Sequence, residues 1–314
     1  MKPFSALGII LFVIHHAALA KRAPSITKLT ADENREIASI CGKRKLSPLL
    51  NSAAGQLSTH SQFPWAGVIE IQTPRSRFCT VSLISRRHAL TSLHCVSIFE
   101  NEAVKPFLAN GSITLTVAFG GNCHFNDKAF PGDLCIKDNM KRVKVKRFHQ
   151  PKRDSSWPRD HDDFRRMDIA IIEFTEDIQG SFIPICLPST DSKLPQFGAL
   201  SGFGLTRIGN RPQLRYITGK FGMRKATLTL DTRFFVDHLS TRKYGLWATP
   251  GAYTMPGDSG SPVVGWPEDN GRAVQYGILS GPRDRWTLME TCDMRNHVNW
   301  ICRTIGLCTG NITY

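Results

Sequence analysis

Apolar and polar residues alternate in short runs along most of this chain, and turns rich in glycine, proline and asparagine separate the runs. A period of two predicts β-strands. We expect strands at residues 68–71, 78–90, 113–119, 143–148, 168–174, 226–230 and 274–279. Residues 296–301 have helical spacing instead and predict a C-terminal helix. The roughly 250 residues that carry these elements suit one all-β unit rather than two large independent domains.

The first twenty residues have a different pattern. They contain Lys2, an apolar run at residues 6–14 and the small-residue sequence ALA at residues 18–20. This order predicts a signal peptide that is removed after Ala20. The apolar run is too short to span a bilayer, and no later stretch approaches about 18 continuous apolar residues. We therefore expect a secreted, extracellular protein without a membrane span.

Nine cysteines in an exported chain predict a framework of disulfides. No Cys-x-x-Cys pair recurs with histidine at the spacing of zinc ligands, and we predict neither a metal site nor an organic cofactor. The triplets that begin at Asn110 and Asn311 are permitted N-glycosylation sites in this compartment, although such triplets also occur by chance.

The chain is basic, with 40 lysines and arginines against 26 acidic residues and a formal net charge of +14. This balance favours association with anionic surfaces. The densest basic segment, residues 141–147 (KRVKVKR), alternates basic and β-branched residues as in a strand with one solvated face. One interpretation is an edge strand whose lysines prevent aggregation. The other is a site for anionic glycans or an acidic substrate; we expect no nucleic-acid partner.

Three segments supply the residues of a nucleophilic triad. They are residues 91–95 (TSLHC), 168–172 (DIAII) and 257–262 (GDSGSP). A serine hydroxyl is a poor nucleophile near neutral pH, so it needs an imidazole to take its proton and a carboxylate to orient that imidazole. Each segment alone has an ordinary explanation: a core histidine, a strand-end carboxylate or a tight turn. Taken together, His94, Asp168 and Ser259 predict hydrolytic chemistry.

At these segments the chain resembles the chymotrypsin/trypsin-like serine protease family, in which His, Asp and Ser follow one another in this order. Residues 29–34 (LTADEN), 41–42 (CG) and 63–66 (FPWA) are similar to the branch of this family that is expanded in nematodes. The resemblance covers residues 29–308. It implies an all-β fold of two six-stranded antiparallel β-barrels with a C-terminal helix, and catalytic groups in the cleft between the barrels.

The resemblance also implies a domain organisation and a function. The expected parts are a signal peptide (1–20), a leader or pro-segment tethered by Cys41 (21–51), a peptidase domain (52–308) and a tail (309–314). The implied function is a secreted serine endopeptidase that hydrolyses protein or peptide substrates through an acyl-enzyme. A catalytically silent homologue that binds a ligand or regulates other proteases is the alternative.

Each role in this implied mechanism falls on a particular residue. His94 is the base, Asp168 orients its ring and Ser259 is the nucleophile. The backbone amides of Gly257 and Ser259 form the oxyanion hole. Ser280 matches the family serine that hydrogen-bonds the catalytic aspartate.

Two parts of the family pattern are altered. Asp258 matches the aspartate that pairs with a new amino terminus after activation cleavage, but no basic residue precedes residues 52–55 (SAAG), where that terminus is expected. The nearest basic site is residues 43–45, and we still expect a zymogen. In the primary specificity pocket, Tyr253 replaces the aspartate of trypsin-like members, so we predict that cleavage after Arg or Lys is not the activity. Met255 replaces the pocket cysteine, and Ser261 replaces a glycine.

The family resemblance implies the disulfides Cys41–Cys186 and Cys79–Cys95. We further predict that Cys123–Cys135 closes a local loop between His94 and Asp168 and that Cys302–Cys308 closes the last turn of the chain, which leaves Cys292 free or intermolecular.

Overall fold

The computed structural model describes residues 26–43, 56–57, 61–71, 77–100, 103–106, 115–121, 140–151, 166–180, 183–195, 197–204, 215–221, 245–248, 254–267, 271–282 and 288–309. The helices are α1 (Ala31–Ile40) and α2 (Val298–Ile305). The strands are β1 (Gln56–Leu57), β2 (Ala66–Ile71), β3 (Arg77–Ser85), β4 (His88–Thr91), β5 (Ser97–Glu100), β6 (Ala103–Pro106), β7 (Leu115–Phe119), β8 (Lys141–His149), β9 (Ala170–Phe174), β10 (Phe197–Gly202), β11 (Arg215–Phe221), β12 (Gly245–Ala248), β13 (Pro262–Gly265), β14 (Val274–Pro282) and β15 (Leu288–Asp293).

Six of these strands form a closed antiparallel barrel in the order β2, β3, β4, β9, β8, β7. Every residue of β2, β4 and β9 is buried, as expected for strands that are covered on both faces. The rings of Phe119 and Phe174 meet edge to face in the core, with centroids 5.9 Å apart. Asp168 immediately precedes β9, and His94 follows β4, so two neighbouring barrel strands lead to these two residues.

The prediction of a single strand over residues 78–90 is wrong. A turn at Arg86 and Arg87 divides this segment into β3 and β4, which pair with each other. The Ser85 hydroxyl accepts a hydrogen bond from the Arg87 amide at 3.2 Å and stabilises this turn. Both arginines point away from the barrel core, because their guanidinium groups bind carbonyl and carboxylate oxygens elsewhere.

The basic segment 141–147 lies in β8, and the predicted alternation is confirmed, because its valines are buried and its lysines are exposed. The edge-strand interpretation is wrong, since β8 pairs with both β7 and β9 inside the closed barrel. Two of its charges pair with one carboxylate of the protein. Lys146 Nζ lies 2.8 Å and Arg147 Nε 3.3 Å from the carboxylate of Glu173.

A second antiparallel sheet has the order β1, β11, β10, β13, β14, β15, β12, with a further pairing between β11 and β12. Strand β10 of this sheet contacts β2 of the barrel. The described fold is therefore mostly β, with a closed six-stranded barrel and a second sheet. The predicted C-terminal helix is present as α2, whose buried residues Val298, Ile301 and Ile305 lie on one face.

The segment of residues 26–43, which lies in the predicted leader, is docked on the barrel and on the C-terminal segment. Helix α1 begins with a capping box, in which the Thr30 hydroxyl accepts from the Glu33 amide and the Glu33 carboxylate accepts from the Thr30 amide. The side chain of Glu33 also pairs with Arg87 in the turn between β3 and β4. Asn34 Nδ2 donates to the Cys308 carbonyl at 3.3 Å, and its Oδ1 accepts from the Cys308 amide at 3.2 Å.

A covalent bond continues this attachment. Cys41 at the end of α1 is joined to Cys186, and the next amide, that of Gly42, donates to the Pro184 carbonyl at 2.8 Å. The structure also contains the disulfides Cys79–Cys95 and Cys302–Cys308. The family resemblance implies Cys41–Cys186 and Cys79–Cys95, and the third pair is the predicted closure of the last turn of the chain. Cys123 and Cys135 lie outside the described residues.

Neither described helix is long and apolar enough to cross a membrane. The predicted signal peptide, the residues 44–55 around the two possible activation sites, and the sequons at Asn110 and Asn311 lie outside the described residues.

The leader disulfide closes a much longer loop than the C-terminal one, with sequence separations of 145 and 6. We expect the double variant Cys41→Ser/Cys186→Ser to lower the free energy of unfolding by about 3–5 kcal/mol, because the cross-link restricts the unfolded chain in proportion to the logarithm of loop length. The matched variant Cys302→Ser/Cys308→Ser should lose only about 2 kcal/mol. Urea unfolding of both variants checks this, and equal losses would contradict it.

Candidate active site

His94 lies in a short 3₁₀ helix, Leu93–Cys95, directly after β4. The disulfide from Cys79 fastens this helix to β3, and the Ser97 hydroxyl donates to the Leu93 carbonyl at 2.7 Å. The residues on both sides of His94 are buried, while its own side chain keeps 28% of its surface exposed. The backbone is therefore fixed on both sides of a ring that solvent and substrate can reach.

Asp168 is completely buried and binds His94 twice. Its Oδ1 accepts the backbone amide of His94 at 3.0 Å, and its Oδ2 accepts from His94 Nδ1 at 2.7 Å. An ionised carboxylate can only accept, so Nδ1 carries a hydrogen, and in the neutral ring Nε2 is then left with its lone pair. This is the tautomer that a general base needs.

Asp168 stays ionised in this environment. Burial raises the pKa of a carboxyl group, but the neighbouring His94 ring and the hydrogen bonds from His94 and Ser280 outweigh burial and hold the pKa of Asp168 below its ordinary value. The negative charge is therefore available to stabilise an imidazolium at His94.

Ser280 donates its hydroxyl hydrogen to Asp168 Oδ2. It lies in β14 where the pairing with β15 shifts register between Leu279 and Gly281. Such irregularities redirect a side chain out of the ordinary alternation of a strand. The second sheet thus supplies a hydrogen bond to a carboxylate that belongs to the barrel, and the family resemblance implies this same contact.

Ser259 lies in a turn that is hydrogen-bonded to both sheets. The Thr80 amide in β3 donates to the Ser259 carbonyl at 2.8 Å, and the Gly260 amide donates to the Leu279 carbonyl in β14 at 2.9 Å. A side chain at position 260 would overlap the Thr80 carbonyl oxygen. The turn is therefore held tightly against β3, the strand that carries Cys79.

The turn of Ser259 is also close to the segment that leads to His94. The Ser92 hydroxyl donates at 2.7 Å to the same Leu279 carbonyl that accepts from the turn. On the other side of this segment, His94 Nε2 lies 3.8 Å from Cys95 Sγ.

Gly257 occupies a position that excludes a side chain. Its φ is +98°, and a Cβ atom would overlap the Phe78 ring and lie 2.8 Å from the Phe203 carbonyl oxygen. Its own carbonyl accepts from Thr80 Oγ1 at 2.9 Å. Glycine is required because an L side chain disfavours this backbone conformation and has no space here.

Asp258 is completely buried beside two glycines of the second sheet and its continuation, Gly202 and Gly204. Its Oδ2 accepts from the Met255 amide at 2.8 Å, and its backbone amide donates to the Met255 carbonyl at 3.0 Å. Ser261, also completely buried, is close enough to Gly202 that a Cβ there would overlap its hydroxyl. Small residues on both sides thus make room for the carboxylate.

Thr80 connects the site and is not among the site residues that the sequence predicts. Its amide binds Ser259, its hydroxyl donates to the Gly257 carbonyl, and the same hydroxyl accepts from the Phe203 amide at 2.8 Å. The sequence feature that could have identified Thr80 is its position directly after Cys79. Tyr253, on which the specificity prediction depends, lies outside the described residues.

One group of described side chains has the spacing of metal ligands: Cys79, His94 and Cys95 offer atoms within 4.8 Å of one another. The two cysteines form a disulfide with each other, so neither supplies the thiolate that a metal would bind.

Two family models match this sequence. The model described as Nematode trypsin-6-like family matches residues 8–103, and the model described as Trypsin matches residues 133–288. This chain belongs to the trypsin-like serine protease family. Within that family, the resemblance to the nematode branch is confirmed.

A curated relative of this trypsin-like chain is melanization protease 1 of Drosophila melanogaster. The two are 24% identical over 277 residues, which cover 79% of this chain and 64% of the relative. The chain therefore spans less than two thirds of the length of that protein.

We expect Gly257→Ala to lower the free energy of unfolding of this trypsin-like protein by about 2–5 kcal/mol, because backbone strain and overlap with Phe78 add together. The control is Gly271→Ala, which also has a positive φ of +62° but has no atom within 4 Å of a new Cβ. It should lose only about 1–2 kcal/mol. Urea unfolding compares the two, and a Gly257→Ala loss no larger than the control would contradict the packing argument.

Proposed function

We propose that this chain is a secreted serine endopeptidase whose catalytic residues are His94, Asp168 and Ser259. The observation that carries the proposal is the hydrogen-bonded series from Ser280 through the buried Asp168 to His94 Nδ1. It orients the ring and keeps Nε2 as the proton acceptor. The matching trypsin model and a relative that is a protease by name support the same function.

The proposed reaction begins when Ser259 Oγ attacks a peptide carbonyl and His94 Nε2 takes its proton. Asp168 remains ionised and stabilises the imidazolium. The amides of Gly257 and Ser259 donate to the oxyanion of the tetrahedral intermediate. His94 then protonates the leaving amine. In the second half of the reaction, water attacks the acyl-enzyme, His94 takes the proton of the water, and Ser259 is released.

We also propose the two-barrel architecture of this family for the chain. The closed barrel that ends in His94 and Asp168 would be one half. The second sheet would be the other, supported by the pairing of its strands β11 and β12. Residues 52–308 would form this peptidase domain, preceded by the signal peptide 1–20 and the leader 21–51, and followed by the tail 309–314.

Specificity and activation are further parts of the proposal. Tyr253 offers no charge to a basic substrate side chain, so cleavage after Arg or Lys is not expected, and a shallow pocket for small or apolar residues is favoured. Asp258 would order the oxyanion loop by pairing with a new amino terminus from residues 43–55, as in a zymogen. Binding of anionic glycans to residues 141–147 and glycosylation at Asn110 and Asn311 stay predictions.

Labelling with a fluorophosphonate probe tests the catalytic proposal. We expect the secreted protein to be labelled at Ser259 after limited proteolysis of its leader, since the probe reacts only with an activated serine. Ser259→Ala should abolish labelling, and Asp168→Asn should slow it by about 10⁴-fold, because the wrong histidine tautomer is then favoured.

Thr309 provides the matched control, because it is a described hydroxyl-bearing residue that donates to the Pro188 carbonyl and is not part of the proposed triad. Thr309→Ala should be labelled like the natural protein. Labelling of no processed form would reject the enzyme and favour the catalytically silent homologue.

A panel of peptide substrates tests the specificity proposal. We expect substrates with small or apolar residues before the scissile bond to have a kcat/KM at least tenfold above those with Arg or Lys, because an unpaired substrate charge in the pocket costs more than about 1.4 kcal/mol. The variant Tyr253→Asp should reverse this order. Efficient hydrolysis of arginyl peptides by the natural protein, abolished in Ser259→Ala, would show the interpretation of Tyr253 to be wrong.

A further inference from the structure

We propose that Cys292 and His297 act together as positioning residues, by holding the backbone carbonyl of Arg166 and thereby fixing Asp168. Neither residue has a role in the mechanism above. The inference rests on the proposed function, because a fixed Asp168 matters only if His94 acts as a base.

Both residues make a hydrogen bond to one oxygen atom. Cys292 Sγ donates to the Arg166 carbonyl at 3.1 Å, and His297 Nε2 lies 3.0 Å from the same oxygen. A carbonyl has two lone pairs, so the two donors occupy both. Arg166 precedes Asp168 by two residues, and the Ile169 amide donates to the Met167 carbonyl at 2.8 Å, which closes a turn around Asp168. The held carbonyl therefore lies directly before the turn that contains Asp168.

Both side chains carry the hydrogen that a hydrogen-bond donor needs. Cys292 is completely buried, and burial together with the nearby Asp168 and Asp293 raises the pKa of its thiol well above the ordinary value. The thiol therefore keeps its hydrogen. Burial lowers the pKa of His297, against opposing effects from Arg166 and Asp293, so its ring is neutral. Since Nε2 faces a carbonyl oxygen, which cannot donate, Nε2 carries the single ring hydrogen.

The supports behind these donors are rigid. Cys292 lies in β15 opposite Ile278 of β14, two residues before Ser280. The His297 amide donates to the Met294 carbonyl at 2.9 Å, its carbonyl accepts the first amide hydrogen bond of α2 at 2.9 Å, and its ring packs edge to face against Trp300. Both donors are thus placed by ordinary backbone hydrogen bonds rather than by long flexible side chains.

The arrangement fixes Asp168 at two levels. The second sheet binds its carboxylate through Ser280, and the C-terminal part of the chain binds its backbone turn through Cys292 and His297. Asp168 itself leads into β9 of the barrel. Without the second set of contacts, the turn could shift while the carboxylate kept only its bonds to Ser280 and His94. A displacement of about 1 Å in a catalytic group can reduce the rate about a hundredfold.

Variants that remove or keep the donors separate the proposal from a loss of packing. Cys292→Ala and His297→Leu remove the hydrogen-bond donor, whereas Cys292→Ser and His297→Gln retain one. The matched control is Ser82→Ala, which removes a completely buried hydroxyl that donates to Gln275 Oε1 at 2.8 Å rather than to the Arg166 carbonyl.

The first measurement is the proton NMR signal of His94 Nδ1–H in folded protein with ¹⁵N-labelled histidine. We expect the signal to move upfield or exchange faster with solvent in Cys292→Ala and His297→Leu, because the hydrogen bond to Asp168 loosens. It should be unchanged in Cys292→Ser, His297→Gln and Ser82→Ala. This readout does not need catalysis, so it judges the proposal even if fluorophosphonate labelling fails for the natural protein.

The second measurement is the rate of fluorophosphonate labelling per folded molecule. We expect it to fall about ten- to a hundredfold in the two donor-removing variants and less than threefold in the two donor-retaining variants and the control. An unchanged Nδ1–H signal in Cys292→Ala and His297→Leu would overturn the proposal, as would the same change in Ser82→Ala. A natural protein that shows the signal but no labelling would reject the proposed function alone.

Discussion

The carboxylate of Asp168 has no contact with solvent, and its two oxygens accept hydrogen bonds from opposite parts of the fold. A buried charge of this kind is costly unless polar partners satisfy it. His94 provides two of these partners from the barrel, and Ser280 provides another from the second sheet. The position of β14 beside the barrel therefore helps to keep Asp168 ionised. The orientation of the His94 ring depends in turn on that ionisation.

The same dependence between sheets appears at the turn of residues 257–260. Thr80 in β3 binds this turn through both its amide and its hydroxyl, and the Leu279 carbonyl in β14 accepts from the Gly260 amide. The turn therefore does not hold its shape through its own sequence alone. Because residues 257 and 260 are glycines, the turn fits into a space bounded by Phe78 and Thr80. The neighbouring strands fix the position of the turn in this space.

Local sequence was sufficient for parts of this arrangement. The residues around His94, Asp168 and Ser259 identify the family, and the alternation in residues 141–147 correctly separated buried from exposed positions. Strand pairing was not available from local pattern, so β8 was interpreted as an edge although both of its neighbours are present. The turn at Arg86 and Arg87 was also missed, because it depends on a serine hydroxyl rather than on glycine or proline.

Long-range contacts explain the remaining differences. Thr80 is an ordinary strand residue in the sequence, and its importance arises from its proximity to a turn that lies 177 residues away. In the sequence, Cys292 is only the cysteine left over from pairing, and His297 is only one residue of the predicted C-terminal helix. Their common partner is a backbone carbonyl, which carries no signal in the amino-acid sequence. The disulfides Cys41–Cys186 and Cys79–Cys95, by contrast, agree with expectation because the family resemblance supplied the long-range information.

The attachment of residues 26–43 determines whether a cleaved form of this protein would stay in one piece in solution. A break in the backbone after Lys43 would leave Cys41 bonded to Cys186, and Asn34 would still be paired with the backbone of Cys308. The cut protein would remain one particle of unchanged mass apart from the added water. Electrophoresis without a reducing agent would show a single band, and the small chain would separate only after the disulfide was reduced.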